Sequence, residues 1–249
     1  MKISRLFIKP QSGMPVEAQQ ALMLAKGYGI RGDASAQGGS PRQILITDRV
    51  TLGQFGLQPG DLRENILLDT GFEGLQSGQV LQIGDALIRL TFLCEPCTYL
   101  NTLQPDLAKR IKAKRGWLGM VVTSGAIAVG DSVILSAHQF PALPHDAKGR
   151  FYELLARIPA GKVITTGDLI VALGVTPSHY RVFPSFIKQA PPELPVHRVV
   201  AIAGNLFNKH IPEQAERLAA EGIELQDGKV PSHYHLPAKC FHELGNVYL

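Results

Sequence analysis

Histidine is absent from the first 137 of the 249 residues, and cysteine occurs only three times in the whole chain. Each shortage excludes something. Three cysteines cannot make a disulfide scaffold, and they fall one short of the four thiolates that an in-chain iron–sulfur cluster takes. Zinc wants four ligands, and in a half without histidine Cys94 and Cys97 offer it only two thiolates, which counts against a zinc site there. Apolar runs of membrane-spanning length are missing, and Met1-Lys2-Ile3 opens straight into a strand pattern rather than a signal peptide. The expectation is a cytoplasmic protein with no membrane partner.

Charge is also sparse. The chain carries 25 Lys and Arg against 21 Asp and Glu, a net of +4, with a pI near 9.0. Split after residue 137, the first part has 14 basic residues against 11 acidic, and the second has 11 against 10. A domain that grips duplex DNA through its phosphates usually concentrates basic side chains on one face. The one basic run here, Lys109-Arg110-Ile111-Lys112-Ala113-Lys114-Arg115, lies in the first part. A solvated helix face is its plain reading; an anion or cofactor-phosphate site is the sharper one.

At 249 residues and 45% hydrophobic, the chain can fill two cores. We divide it into a domain over 1–137, a proline-bearing linker over 138–148, a second domain over 149–231 and a tail over 232–249. The first domain reads as short strands: Ile3–Lys9, Gln43–Thr47, Asn65–Leu68, Val80–Ile83, Ala86–Leu93, Leu118–Val122 and Ser132–Leu135. Glycine turns separate them, and regular strands with few helices predict a mostly-β barrel or sandwich. The second domain reads as mainly α. Its helices are Phe151–Ile158, Asp168–Leu173 capped by Thr165 or Thr166 and stopped at Gly174, and Ser178–Gln189. Two short helices and a turn before a third predict a helix-turn-helix. Pro184 falls inside the third helix, where it costs about 3 kcal/mol unless the helix kinks or starts late.

In that second domain, "IPAGKVITTGDLIVALG", Arg181 ten residues before Pro191, "PVHRVV" at 195–200 and "LAAEGIEL" occur in order. Together they resemble the C-terminal domain of the O6-alkylguanine DNA alkyltransferases, over roughly Arg150 to Val230. The resemblance implies a winged helix-turn-helix that binds double-stranded DNA with modified bases. In that family a Pro-Cys-His-Arg-Val run holds the cysteine that accepts the alkyl group, with the histidine as its base. Val196 stands in the cysteine's place, and an isopropyl group cannot accept an alkyl group by substitution. The chain therefore resembles the alkyltransferase-like proteins, and no alkyltransferase activity is expected. Arg181 matches the finger that fills the gap left by a flipped nucleotide. His197 and Glu221 match the pair that supports the cysteine, and Thr166 stands where a tyrosine turns the target phosphate. Tyr180, Ser185 and Arg198 complete the implied DNA face. The stretch from Tyr180 to Phe186 is bulkier than the small residues the family places there.

In the first domain, "GIRGDA", "GGSPRQILITDR", "LRENILLD", "IGDALIRLTFLCEPC" and "AIAVGDSV" resemble, in order, the MOSC family. That family is named for the C-terminal regions of molybdenum cofactor sulfurases. The resemblance implies a mostly-β barrel whose second cysteine position carries a sulfane sulfur or ligates molybdenum. In Cys94-Glu95-Pro96-Cys97 that position is Cys97, with Cys94 as a resolving partner. A thiolate is both a good nucleophile and a good ligand for soft metals. A redox pair, half a zinc site and two buried packing residues compete with this reading, the first without a βαβ context. Arg31, Asp33, Arg42, Arg63, Glu64 and Asn65 match the polar positions that the family sets near the molybdenum cofactor. Ser35 stands where many members have histidine.

Two function classes stay open. In one, the MOSC half is a sulfur carrier or oxidoreductase working with the molybdenum cofactor. It would be served by a sulfur donor protein or, as a reductase, by an external electron donor. The second domain would direct it at modified nucleobases or DNA, by analogy alone. In the other, the chain is a non-enzymatic sensor of alkylated DNA and the MOSC half is a scaffold. In the tail, His233, His235, Cys240 and His242 match no zinc-finger spacing, so zinc is not expected.

Overall fold

The computed structural model describes residues 1–71 and 73–241. It divides into two units, one over Met1–Leu143 and one that begins at Pro144. The first unit begins with β1 (Ile3–Ile8), β2 (Glu17–Gln19), β3 (Ala21–Ala25), β4 (Gly29–Ile30) and β5 (Ile44–Asp48). After α1 (Arg49–Phe55) come β6 (Ile66–Leu68), β7 (Gln79–Ile83) and β8 (Ala86–Leu93). Two single turns, α2 (Leu100–Leu103) and α3 (Leu107–Arg110), precede β9 (Trp117–Thr123), β10 (Gly125–Ala128) and β11 (Val133–Gln139). All seven strands expected from the sequence are present; the helices and the short strands β2, β3, β4 and β10 are additions.

One sheet runs β11-β7-β8-β9-β5-β6-β1-β2, and β10-β3-β4 form a smaller one. The large sheet curls until the start of β1 meets the start of β11. A bridge joins Lys2 to Ser132, and the Val133 N–H donates to the Met1 carbonyl at 2.8 Å. The result is a half-barrel filled by Leu6, Ile44, Ile46, Ile88, Leu90 and Val121.

Within that sheet, strand alternation is interrupted at one place that matters. Leu90 pairs with Gly119 but Leu93 pairs with Trp117, so β8 carries an extra residue there. A bulge of this kind reverses which side chains face inward. Ile88 and Leu90 point into the main core, yet Phe92 and Cys94 join a separate cluster with Leu45, Leu118 and Leu143.

The second unit contains α4 (Ala147–Arg157), β12 (Ile164–Thr165), α5 (Thr166–Leu173) and α6 (Phe183–Lys188). They are followed by β13 (Val199–Val200), α7 (Gln214–Ala220) and α8 (Ala238–Phe241). Asp146 caps α4, accepting from the Gly149 N–H at 2.8 Å, and Thr165 caps α5, accepting from the Asp168 N–H at 3.1 Å. The single third helix expected over Ser178–Gln189 is replaced by two pieces, a 3-10 turn over Pro177–Arg181 and then α6. Proline explains the break. Pro184 sits in the first turn of α6, where its missing N–H has no intrahelical partner to lose.

Phe151, Leu154, Leu169, Phe183 and Phe241 form the core of this unit, with the Phe151 and Phe183 rings stacked at 5.9 Å. Arg150 is 3% exposed, and its guanidinium donates to the carbonyls of Leu173 (2.9 Å), Pro144 (3.3 Å) and His145 (2.5 Å). The stretch read as a linker, 138–148, is shared between the units: β11 reaches Gln139, Phe140 and Leu143 are buried in the first, and Asp146 caps a helix of the second. The stretch read as a tail is partly core, since Ala238 and Phe241 pack with α4 and α5; His242 lies outside the described residues. No helix among the described residues is long and apolar enough to cross a membrane.

Candidate functional site

The bulge in β8 turns Cys94 into a cleft of about 230 Å³. Lys9, Arg42, Arg63 and Arg115 line the same cleft, with Ser12, Ser35 and the backbone of Gly13. Of the residues expected at this site, Arg42, Arg63 and Cys94 meet here. Asp33, Glu64 and Asn65 stand behind the wall. The Asp33 carboxylate accepts from the backbone N–H groups of Ser35 (2.7 Å) and Lys9 (2.8 Å) and from Asn65 Nδ2 (2.8 Å). Asn65 Oδ1 in turn accepts from the Leu45 N–H at 3.0 Å and from Lys9 Nζ at 3.4 Å. These bonds fix the glycine-rich loop and β1 against β5 and β6, so Asp33 and Asn65 shape the cleft without lining it.

Arg31 is exposed and does not line the cleft. Glu64 is fully buried; Oε1 accepts from the Gly60 N–H at 2.6 Å, and Oε2 has no partner among the described residues. Burial pushes the Glu64 carboxyl above its ordinary value, against the Gly60 hydrogen bond.

Cys97 is exposed and outside the lining, whereas Cys94 is buried. Arg115 connects them. Its Nη1 donates to the Glu95 carbonyl at 3.0 Å and approaches Cys97 Sγ at 3.4 Å, while Nη2 donates to the Leu62 carbonyl at 3.2 Å. Cys94 Sγ lies 3.8 Å from the same Glu95 carbonyl and 3.9 Å from Arg42 Nη2. Arg42 also pairs with the Glu95 carboxylate. Burial pushes the Cys94 thiol up, and Arg115 and Arg42 oppose that by favouring the thiolate. Burial lowers the Lys9 ammonium, with Asp33 opposing.

The sequence reading missed Lys9 and Arg115. Neither belongs to a motif with Cys94, although Arg115 ends the basic run whose sharper reading is an anion or cofactor-phosphate site. Gly116, next to it, holds φ +127°, and a Cβ there would collide with the Ile46 carbonyl. A larger hollow of about 360 Å³, between Asp48, Glu73, Lys114 and Trp117, contains none of the expected site residues.

For a cofactor, the donor set fits an anionic, sulfur-loving group: four cations for phosphate and a soft sulfur for a soft metal. Among the described residues no three His, Cys, Asp or Glu side chains stand together as a metal site. A metal here would have to bring ligands of its own.

In the second unit, Val196 opens a 3-10 turn over Val196–Arg198 and leans on the core. The network behind it is intact. His197 Nε2 lies 2.7 Å from Glu221 Oε1, and Arg198 donates to both Glu221 oxygens, at 2.6 Å from Nη2 and 3.0 Å from Nε. The Gly161 N–H adds a fourth donor at 3.1 Å. Burial alone would raise the Glu221 carboxyl, but Arg198, His197 and Gly161 outweigh it and hold it down to about 2. Burial lowers His197, with Glu221 opposing, and its Nδ1 has no partner among the described residues. Arg181 and Ser185 are exposed, Tyr180 is partly exposed beside Gly167, and Thr166 is buried at the start of α5.

Comparison with known proteins agrees with this division. The MOSC domain family matches residues 38–134, and the DNA-binding domain of the 6-O-methylguanine DNA methyltransferases matches 146–223. No curated protein matches the chain. Among solved structures, the YuaD protein from Bacillus subtilis is 19% identical, covering 56% of this chain and 96% of its own, with a TM-score of 0.45. YiiM from Escherichia coli is 17% identical, covering 92% of this chain and 98% of its own, at 0.44. Atl1 from S. pombe, solved with damaged DNA containing O6-carboxymethylguanine, is 27% identical over 36% of this chain and 94% of its own, at 0.33. The chain is thus a MOSC domain followed by an alkyltransferase-like DNA-binding domain, with Val196 where the acceptor cysteine would stand.

Proposed function

We propose that the first unit binds an anionic, phosphate-bearing cofactor of the molybdenum cofactor class and works with it as a sulfur carrier or oxidoreductase. The second unit, lacking an acceptor thiol, directs it at DNA or nucleobases that are modified. One observation carries the reading: within a MOSC domain, Lys9, Arg42, Arg63 and Arg115 surround a thiol in a cleft whose lining includes no carboxylate. The guanidinium groups suit bidentate phosphate recognition, and Cys97 or Cys94 supplies the soft ligand. When bound, such a group supplies redox or sulfur chemistry at its metal. The chain's own residues do the rest: the β8 bulge aims Cys94, Arg115 orients Cys97, and Asp33 holds the loop that walls the cleft. A reductase of this kind takes electrons from an external donor; a carrier takes sulfur from a donor protein.

Protein purified from a host that makes the molybdenum cofactor should contain molybdenum or cyanide-labile sulfur. Cys97→Ser and Cys94→Ser, made separately, show which thiol holds it. Protein with neither molybdenum nor labile sulfur would sink the proposal.

The alternative is a non-enzymatic sensor of alkylated DNA with the MOSC half as scaffold. It is favoured by the His197–Glu221–Arg198 network, which persists with no thiol to serve. Under it, Arg181→Ala should weaken binding of a duplex carrying O6-methylguanine far more than of an undamaged one, since a finger matters only when the base is out. Equal weakening would reduce Arg181 to a phosphate contact, and no binding by the wild type at low salt would end this reading.

A further inference from the structure

We infer that the two cysteines form a sulfur relay: exposed Cys97 accepts a sulfane sulfur from a donor persulfide and passes it to Cys94 inside the cleft. The inference rests on the sulfur-carrier reading of the first unit and states how its cleft is loaded. Accessibility is the first ground. Cys94 is 4% exposed at the wall of a cleft of about 230 Å³, too confined for a cysteine carried by another protein. Cys97 is exposed but does not line that cleft. Either thiol alone lacks half of what a carrier needs.

Proximity is the second ground. The Glu95 carbonyl is 3.8 Å from Cys94 Sγ and 3.0 Å from Arg115 Nη1, and the same Nη1 is 3.4 Å from Cys97 Sγ. Both sulfurs therefore border one carbonyl–guanidinium pair, on cysteines three positions apart in the chain. The third ground is direction. Beyond Cys94 the cleft presents Lys9, Arg42 and Arg63, which favour an anionic persulfide over a buried neutral thiol.

The chemistry balances without an oxidant. In the first step Cys97 attacks the terminal sulfur of a donor persulfide; the donor's S–S bond breaks, leaving Cys97–S–SH and the donor thiol. In the second, Cys94 attacks the terminal sulfur on Cys97, the Cys97 S–S bond breaks, and Cys94–S–SH forms. The proton lost by Cys94 ends on the Cys97 sulfur. Arg115 faces that leaving sulfur while charge develops on it.

The test uses the full chain with glutathione persulfide as donor, followed by alkylation and tandem mass spectrometry to locate the added sulfur. Wild type should show sulfur first on Cys97 and then on Cys94. Cys94→Ser should accumulate it on Cys97. Cys97→Ser should load Cys94 more slowly by about tenfold or more, because access sets exchange rates. Cys97→Ala, with an unchanged circular dichroism spectrum, should do the same. Equal loading of Cys94 in the Cys97 variants overturns the relay, as does a Cys94–Cys97 disulfide in place of a persulfide. Sulfur that stays on Cys97 overturns the relay but leaves the carrier reading; sulfur on neither cysteine overturns both.

Discussion

Replacing Glu221 with Gln should remove an acid-sensitive part of the second unit's stability. The carboxylate accepts from Arg198, His197 and Gly161, and those donors outweigh burial to bring its pKa from 4.5 to about 2. At 1.36 kcal/mol per unit this corresponds to at most about 3 kcal/mol. The side chain keeps 14% of its surface exposed, so screening by water brings the expectation nearer about 2 kcal/mol. The sign follows from linkage. A carboxyl depressed in the folded state contributes stability that is fully present above its unfolded pKa, here 4.5, and is lost as pH falls toward the folded value of about 2.

Urea unfolding followed by far-ultraviolet circular dichroism should therefore show Glu221→Gln weaker than wild type by about 2 kcal/mol near neutral pH. The gap should close as pH falls from about 5 to about 2. Trp117, the one tryptophan, lies in the first unit and reports that unit's unfolding separately. A loss below about 0.5 kcal/mol at neutral pH, the scale of an ordinary surface ion pair, would refute the network argument. So would a gap that is independent of pH.

Other expectations are briefer. Incubation with a duplex carrying labelled O6-methylguanine should leave the protein unlabelled, since Val196 cannot accept the methyl group; stoichiometric label on Cys240 or elsewhere would contradict this. Gly116→Ala should cost at least about 2 kcal/mol in a thermal melt, because the position combines φ +127° with a clash against the Ile46 carbonyl. A melt like the wild type's would mean that β5 yields easily there.

How much of this was legible in the sequence differs by element. The long strands show themselves because alternating apolar residues have few other uses, and the helix cap at Thr165 follows from local chemistry, whereas α4 starts four residues before the expected Phe151, capped by Asp146 from the stretch read as a linker. The third helix of the second unit was misjudged in extent because its apolar pattern runs on through Pro184, while the backbone waits for Phe183 to begin. The cleft was half legible. Motif resemblance found Arg42, Arg63 and the cysteines, but Lys9 is placed by the pairing of β1 with β6, and Arg115 by the pairing of β8 with β9. The inward turn of Cys94 was not legible at all. It depends on one extra residue between Leu90 and Leu93, and an apolar run such as Leu-Thr-Phe-Leu reads equally well in either phase.

Arg150 bears on where this protein can be cut. The family boundary at 146 and the first helical residue, Ala147, both invite a fragment that starts there. Such a fragment keeps the Arg150 side chain but discards Pro144 and His145, whose carbonyls receive two of its hydrogen bonds. The guanidinium, 3% exposed in the whole chain, would then lose two of its backbone acceptors, at a cost of about 1 kcal/mol for each bond that water does not replace. The second compact unit begins at Pro144, three residues before its first helix and two before the sequence family does, and a fragment cut there keeps both acceptors.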